Sequence, residues 1–332
     1  MRRDVERRAL VACSGGADST ATLLALATTP APLVVGHVAH DIRPEAEVRA
    51  DAEHARALAA SLGIPFVDAP VRVREGPGNL EARARRARYE ALERMAGERA
   101  CRLVVTGHHA DDVLETSLMR LLRGTGARGL AGPLPSRPLG PHGLTLVRPG
   151  LLVSRADMLR ICSLASLTPR HDVTNDDPSM LRNAIRARVV PVLKQLSPGV
   201  ERRVARTAAH MRNIAAYLEG EAAAILGRAE LAGPSIRLGR TLVRQVPEIL
   251  LGEVVRGAVL QLGGGADLDR TGASTVGKVV RAARDGRGGR RTFKWGVQGR
   301  VTVLITADRV EISVEEGTDA SEADRSRRTL RP

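Results

Sequence analysis

Residues 9–27 read ALVACSGGADSTATLLALA, and this stretch sets the fold class. The apolar residues ahead of Ser14 are of strand length, and the Ala- and Leu-rich residues after Ser19 favour a helix. The glycine pair between them predicts a tight turn. The first N–H groups of a helix have no backbone partner and carry partial positive charge. The stretch therefore predicts an anion site at the start of a helix.

The turn also contains the residue types that phosphate binding needs. Glycine lets the backbone approach an anion closely because it has no Cβ. The side chains and N–H groups expected to hold phosphate oxygens belong to Ser14, Gly15, Gly16, Ser19 and Thr20. Asp18 suits this setting when a Mg²⁺ ion lies between its carboxylate and the phosphates. The alternative is an ordinary turn in which Ser14 or Asp18 caps the helix.

The chain of 332 residues is strongly basic, with 51 Lys and Arg residues against 37 Asp and Glu residues. This balance predicts a polyanionic partner, and nucleic acid is the first choice. A biased genomic base composition explains Arg in place of Lys but not the excess of basic over acidic residues. Few aromatic side chains are present to stack on unpaired bases. They are Phe66, Tyr89, Tyr217, Phe293 and Trp295.

Three scattered cysteines, Cys13, Cys101 and Cys162, form no C-x-x-C pair. Their spacing argues against a zinc ribbon, an iron–sulfur centre or a disulfide framework. The first residues lack the apolar region of a secretory signal, and no run of about 18 apolar residues occurs. We therefore expect a cytoplasmic protein with no membrane contact.

Strand-like and helical stretches alternate through the first half of the chain. Further strands are expected at 32–40, 64–71 and 101–106, and a long basic helix begins near Asn79. This alternation predicts an α/β fold with a doubly wound parallel sheet. In such sheets ligands bind beyond the carboxyl ends of the strands. The segments SGGADS, HVAHDIR and TGHHADD each follow a strand, so we expect them to meet at one edge.

Beyond this region the pattern changes. The Gly- and Pro-rich residues 124–143 predict a loop, either a plain connector or a mobile lid. Residues 199–262 have the apolar spacing of amphipathic helices, and residues 290–314 alternate as small β-strands do.

In chain order these segments resemble the tRNA(Ile)-lysidine synthetases, which are N-type ATP pyrophosphatases. SGGADS at 14–19 matches the phosphate loop SGGxDS of that superfamily. The segments specific to the family are NLEARARRARYEAL at 79–92, TGHHADDVLETSLMRLLRGTGARGLAG at 106–132 and DVTNDDPSMLRNAIRARVVPVL at 172–193. HVAHDIRP at 37–44 is similar to a further segment, with Asp41 and Ile42 where Gly and Leu are common.

The resemblance implies a specific reaction on the wobble cytidine of the isoleucine tRNA with a CAU anticodon. ATP adenylates the C2 oxygen of the base and releases pyrophosphate. The ε-amine of free L-lysine then displaces AMP. The resemblance also implies ATP and Mg²⁺ as cofactors, an adenine nucleotide α-hydrolase-like fold and a homodimer.

For ATP, the resemblance implies binding by the whole loop from Ser14 to Ser19, including Ala17, with Mg²⁺ on Asp18. It places His37 near adenine. Arg182 and Arg186 are expected to contact the ATP phosphates or the tRNA backbone. The alternative for His37 is a core or turn residue, and for the arginines a solvated basic face.

For catalysis, the resemblance implies Asp18, Asp112 and Glu115, of which Asp112 and Glu115 bind the lysine substrate. These two are spaced i,i+3 and so share one helix face. Paired carboxylates bind an ammonium group, and one of them can accept a proton before attack. The alternative is a pair of acids that stabilise a helix N-terminus. His108 and His109 are expected to contact phosphate or to orient Asp112.

The expected tRNA contacts are Arg83, Arg86, Arg123 and Arg128, on the basis of charge. The predicted domains are an ATP pyrophosphatase catalytic domain at 1–190, a helical tRNA-binding domain at 191–285, a small β segment at 286–315 and a disordered tail at 316–332. Two other functions stay open. They are a related cytidine thiolase, which needs paired cysteines, and a non-catalytic RNA-binding relative.

Overall fold

The computed structural model describes residues 8–42, 44–76, 79–170, 181–263, 273–285, 287–295 and 299–315. The predicted tail at 316–332 and the first part of the 172–193 segment lie outside these residues. Contacts divide the chain into two compact units. One is Met1–Leu122 with Ala131–Ala209, and the other is Arg123–Leu130 with His210–Pro332. The predicted domain limits stay a prediction.

Six strands form the sheet of the first unit, in the order β3-β2-β1-β4-β6-β5. Their bounds are β1 Ala9–Ala12, β2 Leu33–His40, β3 Phe66–Val71, β4 Leu103–Val105, β5 Ser136–Leu139 and β6 Leu144–Val147. All neighbouring pairs are parallel except β5 with β6. The doubly wound parallel sheet predicted from the sequence is therefore confirmed.

The two faces of this sheet are covered by α1 Ala17–Ala27, α2 Glu45–Ser61 and α3 Leu80–Glu98. The next helices along the chain are α4 Ala110–Leu122, α5 Ala127–Leu130, α6 Arg155–Leu164, α7 Leu181–Ala184, a π-helical turn Ile185–Val189, α8 Val190–Leu196 and α9 Val200–Leu226. Side chains alternate across a strand, so neighbours on β1 face opposite ways. Val11 packs with Leu23 of α1 and Leu58 of α2, whereas Leu10 packs with Leu92 of α3. Helices α1 and α2 thus lie on one face and α3 on the other.

The stretch at 124–143 is not the loop that its composition predicts. It contains the short helix α5 and strand β5, which forms a hairpin with β6. Gly140 and Gly143 in the connecting turn have φ values of +63° and +69°, which favour glycine. Leu139 and Leu144 are buried in the core beside α3, and this burial stabilises the hairpin. Pro138 is tolerated because β5 lies at the sheet edge.

The second unit contains a five-stranded antiparallel sheet in the order β7-β8-β11-β10-β9. Its strands are β7 Glu230–Ala232, β8 Ser235–Gly239, β9 Gly289–Trp295, β10 Gly299–Ile305 and β11 Arg309–Glu315, and its further helices are α10 Arg240–Gln245, α11 Glu248–Gln261 and α12 Ala273–Arg284. The strands expected at 290–314 are present. The helical prediction for 199–262 is wrong at β7 and β8. There Gly233, with φ +59°, makes a turn, and Ile236 and Leu238 alternate into the core.

Helix α9, at 27 residues, is the longest of the described helices. Neither α9 nor any other helix in the described parts of the chain combines the length and the apolar composition that crossing a bilayer requires.

Candidate active site

The predicted phosphate loop joins β1 to α1 and leaves the helix start open. Gly16 is the N-cap residue, and no side chain caps the helix. Gly15 has φ +84°, and a Cβ there would lie 3.4 Å from the ring of His54. The hydroxyl of Ser19 donates to the carbonyl of Gly16 at 3.0 Å and accepts from the N–H of Ser14 at 3.2 Å. The side chain of Ser19 thus fixes the turn, while the first N–H groups of α1 suit an anion.

A second glycine, Gly107, holds this loop against the end of β4. A Cβ on Gly107 would lie 2.7 Å from the carbonyl oxygen of Asp18 and 2.9 Å from the nitrogen of Ser19. Any larger residue would push two backbones apart. Gly107 was not among the residues predicted from sequence. Its only signal is a glycine directly after a strand.

His109 connects the phosphate loop to the carboxylates of α4. Its Nε2 lies 3.3 Å from Asp18 Oδ2 and 3.6 Å from Asp112 Oδ2. Its backbone N–H donates to Asp112 Oδ2 at 3.0 Å. Burial alone would lower the pKa of His109, but the hydrogen bond to Asp18 and the charges of Asp112 and Asp111 outweigh burial and raise it. The expected contact between His109 and Asp112 is present.

The other oxygen of Asp18 is suited to a metal ion. Among the described residues, Asp18 Oδ1 is buried and has no hydrogen-bond partner. Mg²⁺ prefers oxygen ligands and is often held by one carboxylate together with substrate phosphates. Asp18 beside an open helix N-terminus therefore fits the Mg²⁺ that the resemblance implies. In the same described residues, no group of three or more His, Cys, Asp or Glu side chains is placed to hold a metal ion.

Asp112 and Glu115 are paired with the two arginines that were predicted to bind phosphate. Arg182 donates to Asp112 Oδ1 at 2.6 Å and to Glu115 Oε2 at 2.7 Å. Arg186 donates to the two oxygens of Glu115 at 2.6 and 3.1 Å. The side chain of Glu115 is only 2% exposed, and those of the arginines are 30% and 27% exposed. The structure thus brings together two arginines and two carboxylates that were predicted to bind different ligands.

The pKa shifts in this cluster follow from its charges. Burial would raise the pKa of Asp112, but His109 and Arg182 outweigh burial and lower it. Burial would lower the pKa of Arg182 and Arg186, but Asp112 and Glu115 reverse that effect and raise both values. These directions favour the charged forms of Asp112, Arg182 and Arg186 at neutral pH.

The π-helical turn Ile185–Val189 carries Arg186 and directly follows α7, which carries Arg182. The N–H of Val190 donates to the carbonyl of Ile185, five residues back. Pro191 explains this turn, because proline has no N–H and its ring would clash with a carbonyl four residues earlier. Single π turns are rare and occur frequently at functional sites.

His108, next along the chain, differs from His109 in charge. Its Nδ1 lies 2.9 Å from the hydroxyl of Thr106. Burial lowers the pKa of His108 to about 4, and the positive charges of Arg148 and Arg88 add to this effect. His108 is therefore neutral at pH 7 and is no counter-ion for a phosphate.

His37 and Asp41 follow the second strand and make structural contacts. His37 is buried, and its Nδ1 lies 2.9 Å from the carbonyl oxygen of Cys13. This contact supports the core interpretation of its side chain, and its proximity to adenine stays a prediction. Asp41, where the resembling family has Gly, accepts from the N–H groups of Val73 at 2.7 Å and Arg74 at 3.2 Å. Asp41 thus holds the loop that follows β3.

The four predicted tRNA contacts fall in both units. Arg83 donates to the carbonyls of Val73 and Arg74 at 3.1 and 3.0 Å, and Arg86 lies 3.7 Å from Glu90. In the second unit Arg128 pairs with Glu219 at 2.7 Å, and Arg123 is exposed. Their contact with tRNA stays a prediction.

Two further carboxylates support the site and were not predicted. Asp51 pairs with Arg170, whose backbone N–H donates to the carbonyl of Gly15 at 3.0 Å. Asp111 pairs with Lys194 and accepts from the N–H of Arg155 at 2.8 Å. Asp51 and Arg170 are 119 residues apart, so no local spacing couples them.

The close approach of Gly107 leads to a prediction about nucleotide affinity. Gly107→Ala must displace the backbone at Asp18, so we expect the Kd for ATP to rise at least about tenfold. Gly97→Ala on α3 is the matched control, because nothing lies within 4 Å of its Cβ position. Calorimetric titration with ATP measures both variants. Equal affinities in Gly107→Ala and the wild type would contradict the prediction.

The lowered pKa of His108 predicts a pH dependence of stability. The ordinary pKa of 6.5 applies to the unfolded chain, and the folded value is about 4. Between these values only the unfolded state binds the proton, so stability falls as pH falls through this window. Between pH 7 and pH 5 the free energy of unfolding of His108→Gln should fall less than that of the wild type, by on the order of 1–2 kcal/mol. Urea unfolding at both pH values measures this loss. His142→Gln, at an exposed position, should leave it unchanged.

Comparison with known proteins agrees with this geometry. A tRNA(Ile)-lysidine synthase from Symbiobacterium thermophilum is 39% identical over 274 residues, covering 78% of this chain and 56% of the relative. One from Salinispora arenicola is 42% identical over 224 residues, covering 65% of this chain and 66% of the relative. The chain thus spans between about half and two thirds of the length of these curated relatives.

A solved structure and a family model extend the comparison. The U34-tRNA thiolase of Methanococcus maripaludis superimposes with a TM-score of 0.50 at 16% identity, covering 64% of this chain and 74% of that chain. This likeness concerns the fold alone. The model of the PP-loop domain matches residues 1–193, which include the phosphate loop, helix α4 and both arginines of the ion-pair cluster. The chain therefore belongs to the PP-loop domain family.

Proposed function

We propose that this protein is a tRNA(Ile)-lysidine synthase that joins free L-lysine to C2 of the wobble cytidine in a CAU-anticodon isoleucine tRNA. ATP is converted to AMP and pyrophosphate through an adenylated cytidine. The family segments in the sequence, the PP-loop domain and the names of the curated relatives support this proposal. The homodimer and the cytoplasmic location expected from sequence are part of the proposal.

One observation carries the proposal. The carboxylate of the phosphate loop, Asp18, and one member of the carboxylate pair on α4, Asp112, lie 3.3 and 3.6 Å from Nε2 of His109. The reaction needs an ATP phosphate site and a cation site next to each other, because ATP modifies the oxygen on C2 and the amine then attacks C2. A phosphate loop beside an acidic pair meets this requirement.

In the first step the C2 oxygen of the base attacks the α-phosphate of ATP, and the bond to pyrophosphate breaks. The open N–H groups of α1 bind the phosphates and stabilise their developing charge. Asp18 would hold Mg²⁺ through its unpartnered Oδ1. When bound, Mg²⁺ neutralises charge on the leaving pyrophosphate. The raised pKa of His109 favours the protonated form of its ring, which lies beside Asp18.

In the second step the lysine amine attacks C2, and the bond between C2 and the oxygen of AMP breaks. The amine enters as an ammonium ion, and Asp112 and Glu115 are the acidic pair that binds it. One carboxylate accepts the proton that the ammonium must lose before attack. Arg182 and Arg186 already bind these oxygens, so the ammonium must share or displace a guanidinium group. Lysine binding is therefore coupled to movement of the helix that carries the arginines.

The thiolase alternative fits the described structure less well. Cys13, Cys101 and Cys162 are all buried and free. Burial raises the pKa of each thiol, so thiolate is scarce at neutral pH. A sulfur-transfer reaction needs an accessible thiolate or a cysteine-bound cluster, and these three side chains are poor candidates for either role.

Incorporation of radiolabelled lysine into a transcript of the CAU-anticodon isoleucine tRNA tests the proposal. We expect labelling that depends on ATP and Mg²⁺, with none on an elongator methionine tRNA. Asp112→Asn and Glu115→Gln should each lower the rate by about 10²- to 10⁴-fold, because they remove the ammonium ligand and proton acceptor. Glu98→Gln, at an exposed position, is the control and should keep the wild-type rate.

Thermal unfolding of each variant separates a loss of chemistry from a loss of folding. Folded wild-type protein that binds the tRNA and never attaches lysine would contradict the proposal. Sulfur incorporation would then favour the thiolase, and tRNA binding without ATP cleavage would favour a non-catalytic relative.

A further inference from the structure

Four arginines of the first unit gather around one aromatic ring. The guanidinium carbons of Arg85 and Arg137 each lie 5.1 Å from the ring centroid of Tyr89, and that of Arg88 lies 6.0 Å away. Arg148 is buried, at 4% exposure, and interacts with the hydroxyl group of Tyr89. We refer to Arg85, Arg88, Arg137 and Arg148 as the Tyr89 arginine cluster.

Within the parts of the chain that the structure describes, none of these four arginines forms an ion pair with a carboxylate, and the charge of Asp112 acts on Arg88 without direct contact. Arg148 donates to the carbonyl of Leu134 at 2.7 Å, and Arg137 donates to that of Pro138 at 2.9 Å. These acceptors are neutral. Arg148 also has a buried Nε with no hydrogen-bond partner among the described residues. An unneutralised group of four guanidiniums, one of them buried, is a strong site for an anion.

The electrostatic effect of the cluster extends to its neighbours. Burial would raise the pKa of the Tyr89 hydroxyl, but Arg85, Arg148 and Arg88 outweigh burial and lower it. Burial lowers the pKa of Arg148, and Arg137 and Arg85 lower it further. A bound anion would relieve this repulsion, so both the geometry and the charge balance favour binding.

The position of the cluster relative to the phosphate loop indicates which anion it binds. Arg148 directly follows β6 at the carboxyl edge of the sheet, and the cluster influences His108 at the end of β4. Arg85 and Tyr89 lie on α3, on the face of the sheet opposite to α1. The cluster thus borders the same strand-end edge as the phosphate loop but from the other face.

We propose that the Tyr89 arginine cluster binds the RNA backbone phosphates next to the target base. This inference rests on the proposed function. The α-phosphate of ATP and the base oxygen must meet at the strand-end edge. ATP is held from the face of α1, so the RNA backbone approaches from the face of α3. Guanidinium groups bind phosphate oxygens through two parallel hydrogen bonds, and the cluster supplies several such groups.

The cluster also changes which arginines of α3 are expected to contact RNA. Arg83 is held by the carbonyls of Val73 and Arg74, and Arg86 pairs with Glu90. Arg85 and Arg88 instead face Tyr89, and neither forms an ion pair among the described residues. On this helix the RNA contacts are therefore Arg85 and Arg88.

The test is the affinity for a synthetic anticodon stem-loop with a CAU anticodon, measured by fluorescence anisotropy at several salt concentrations. Arg85→Gln and Arg137→Gln should each weaken binding about tenfold and reduce the salt slope by about one. Arg94→Gln is the matched control. It removes the same charge from an exposed position of α3, about half a turn out of phase with Arg85 at roughly 100° per residue. It should change the Kd less than about twofold. The Kd for ATP is measured in parallel and should stay constant in all variants.

Each outcome bears on the inference. Unchanged RNA affinity and salt slope in both variants would overturn it. A weaker Kd for ATP with normal RNA affinity would assign the cluster to nucleotide phosphates and also overturn it. Wild-type protein that does not bind the stem-loop would overturn it as well. If the stem-loop binds and the two variants weaken it, the inference stands even when no lysine is attached, in which case only the proposed function fails.

Discussion

The backbone of Gly107 lies against the backbone of Asp18 more closely than any side chain permits, and the candidate site depends on this contact. It brings the end of β4 to the start of α1. The residues that follow β4 then place His109 beside Asp18 and Asp112. An anion site made by a helix N-terminus and a cation site made by a carboxylate pair thereby become neighbours. The parallel sheet supplies the framework, because both strands end at the same edge.

Two groups of arginines in the first unit differ in whether a carboxylate pairs with them. Arg182 and Arg186 are neutralised by Asp112 and Glu115, and a buried ion pair of this kind is costly to break from one side. The arginines around Tyr89 have no such partner among the described residues. This difference separates the arginines that pair with the carboxylates of the candidate site from those for which we propose a contact with RNA phosphates. Net charge alone, at +14, does not distinguish them.

The sequence predicted the local parts of this structure well. The strand, turn and helix around Ser14–Ser19 were predictable because apolar runs and glycines act over a few residues. The parallel sheet was predictable because strands and helices alternate. The hairpin at β5 and β6 was not, since burial of Leu139 and Leu144 against α3 overrides a Gly- and Pro-rich composition.

Ion pairs between residues far apart in the sequence were the part of the site that could not be predicted. Asp112 and Arg182 are 70 residues apart, and no spacing indicates that they form an ion pair. Gly107 lies against the backbone of Asp18, and Asp51 pairs with Arg170, so both depend on a segment far away in the sequence. The contacts of Asp41 and His37 likewise involve a neighbouring strand or loop. Residue type and spacing thus indicated the candidate residues, whereas packing determines which of their side chains face each other.

The central claim is that Asp18 serves adenylation, whereas Asp112 and Glu115 serve the lysine step. The most direct test is tRNA-dependent exchange of pyrophosphate into ATP without lysine, which reports the first step alone. We expect Asp112→Asn to retain exchange close to the wild-type rate and Asp18→Asn to lose it. Equal loss of exchange in both variants would contradict the division of roles.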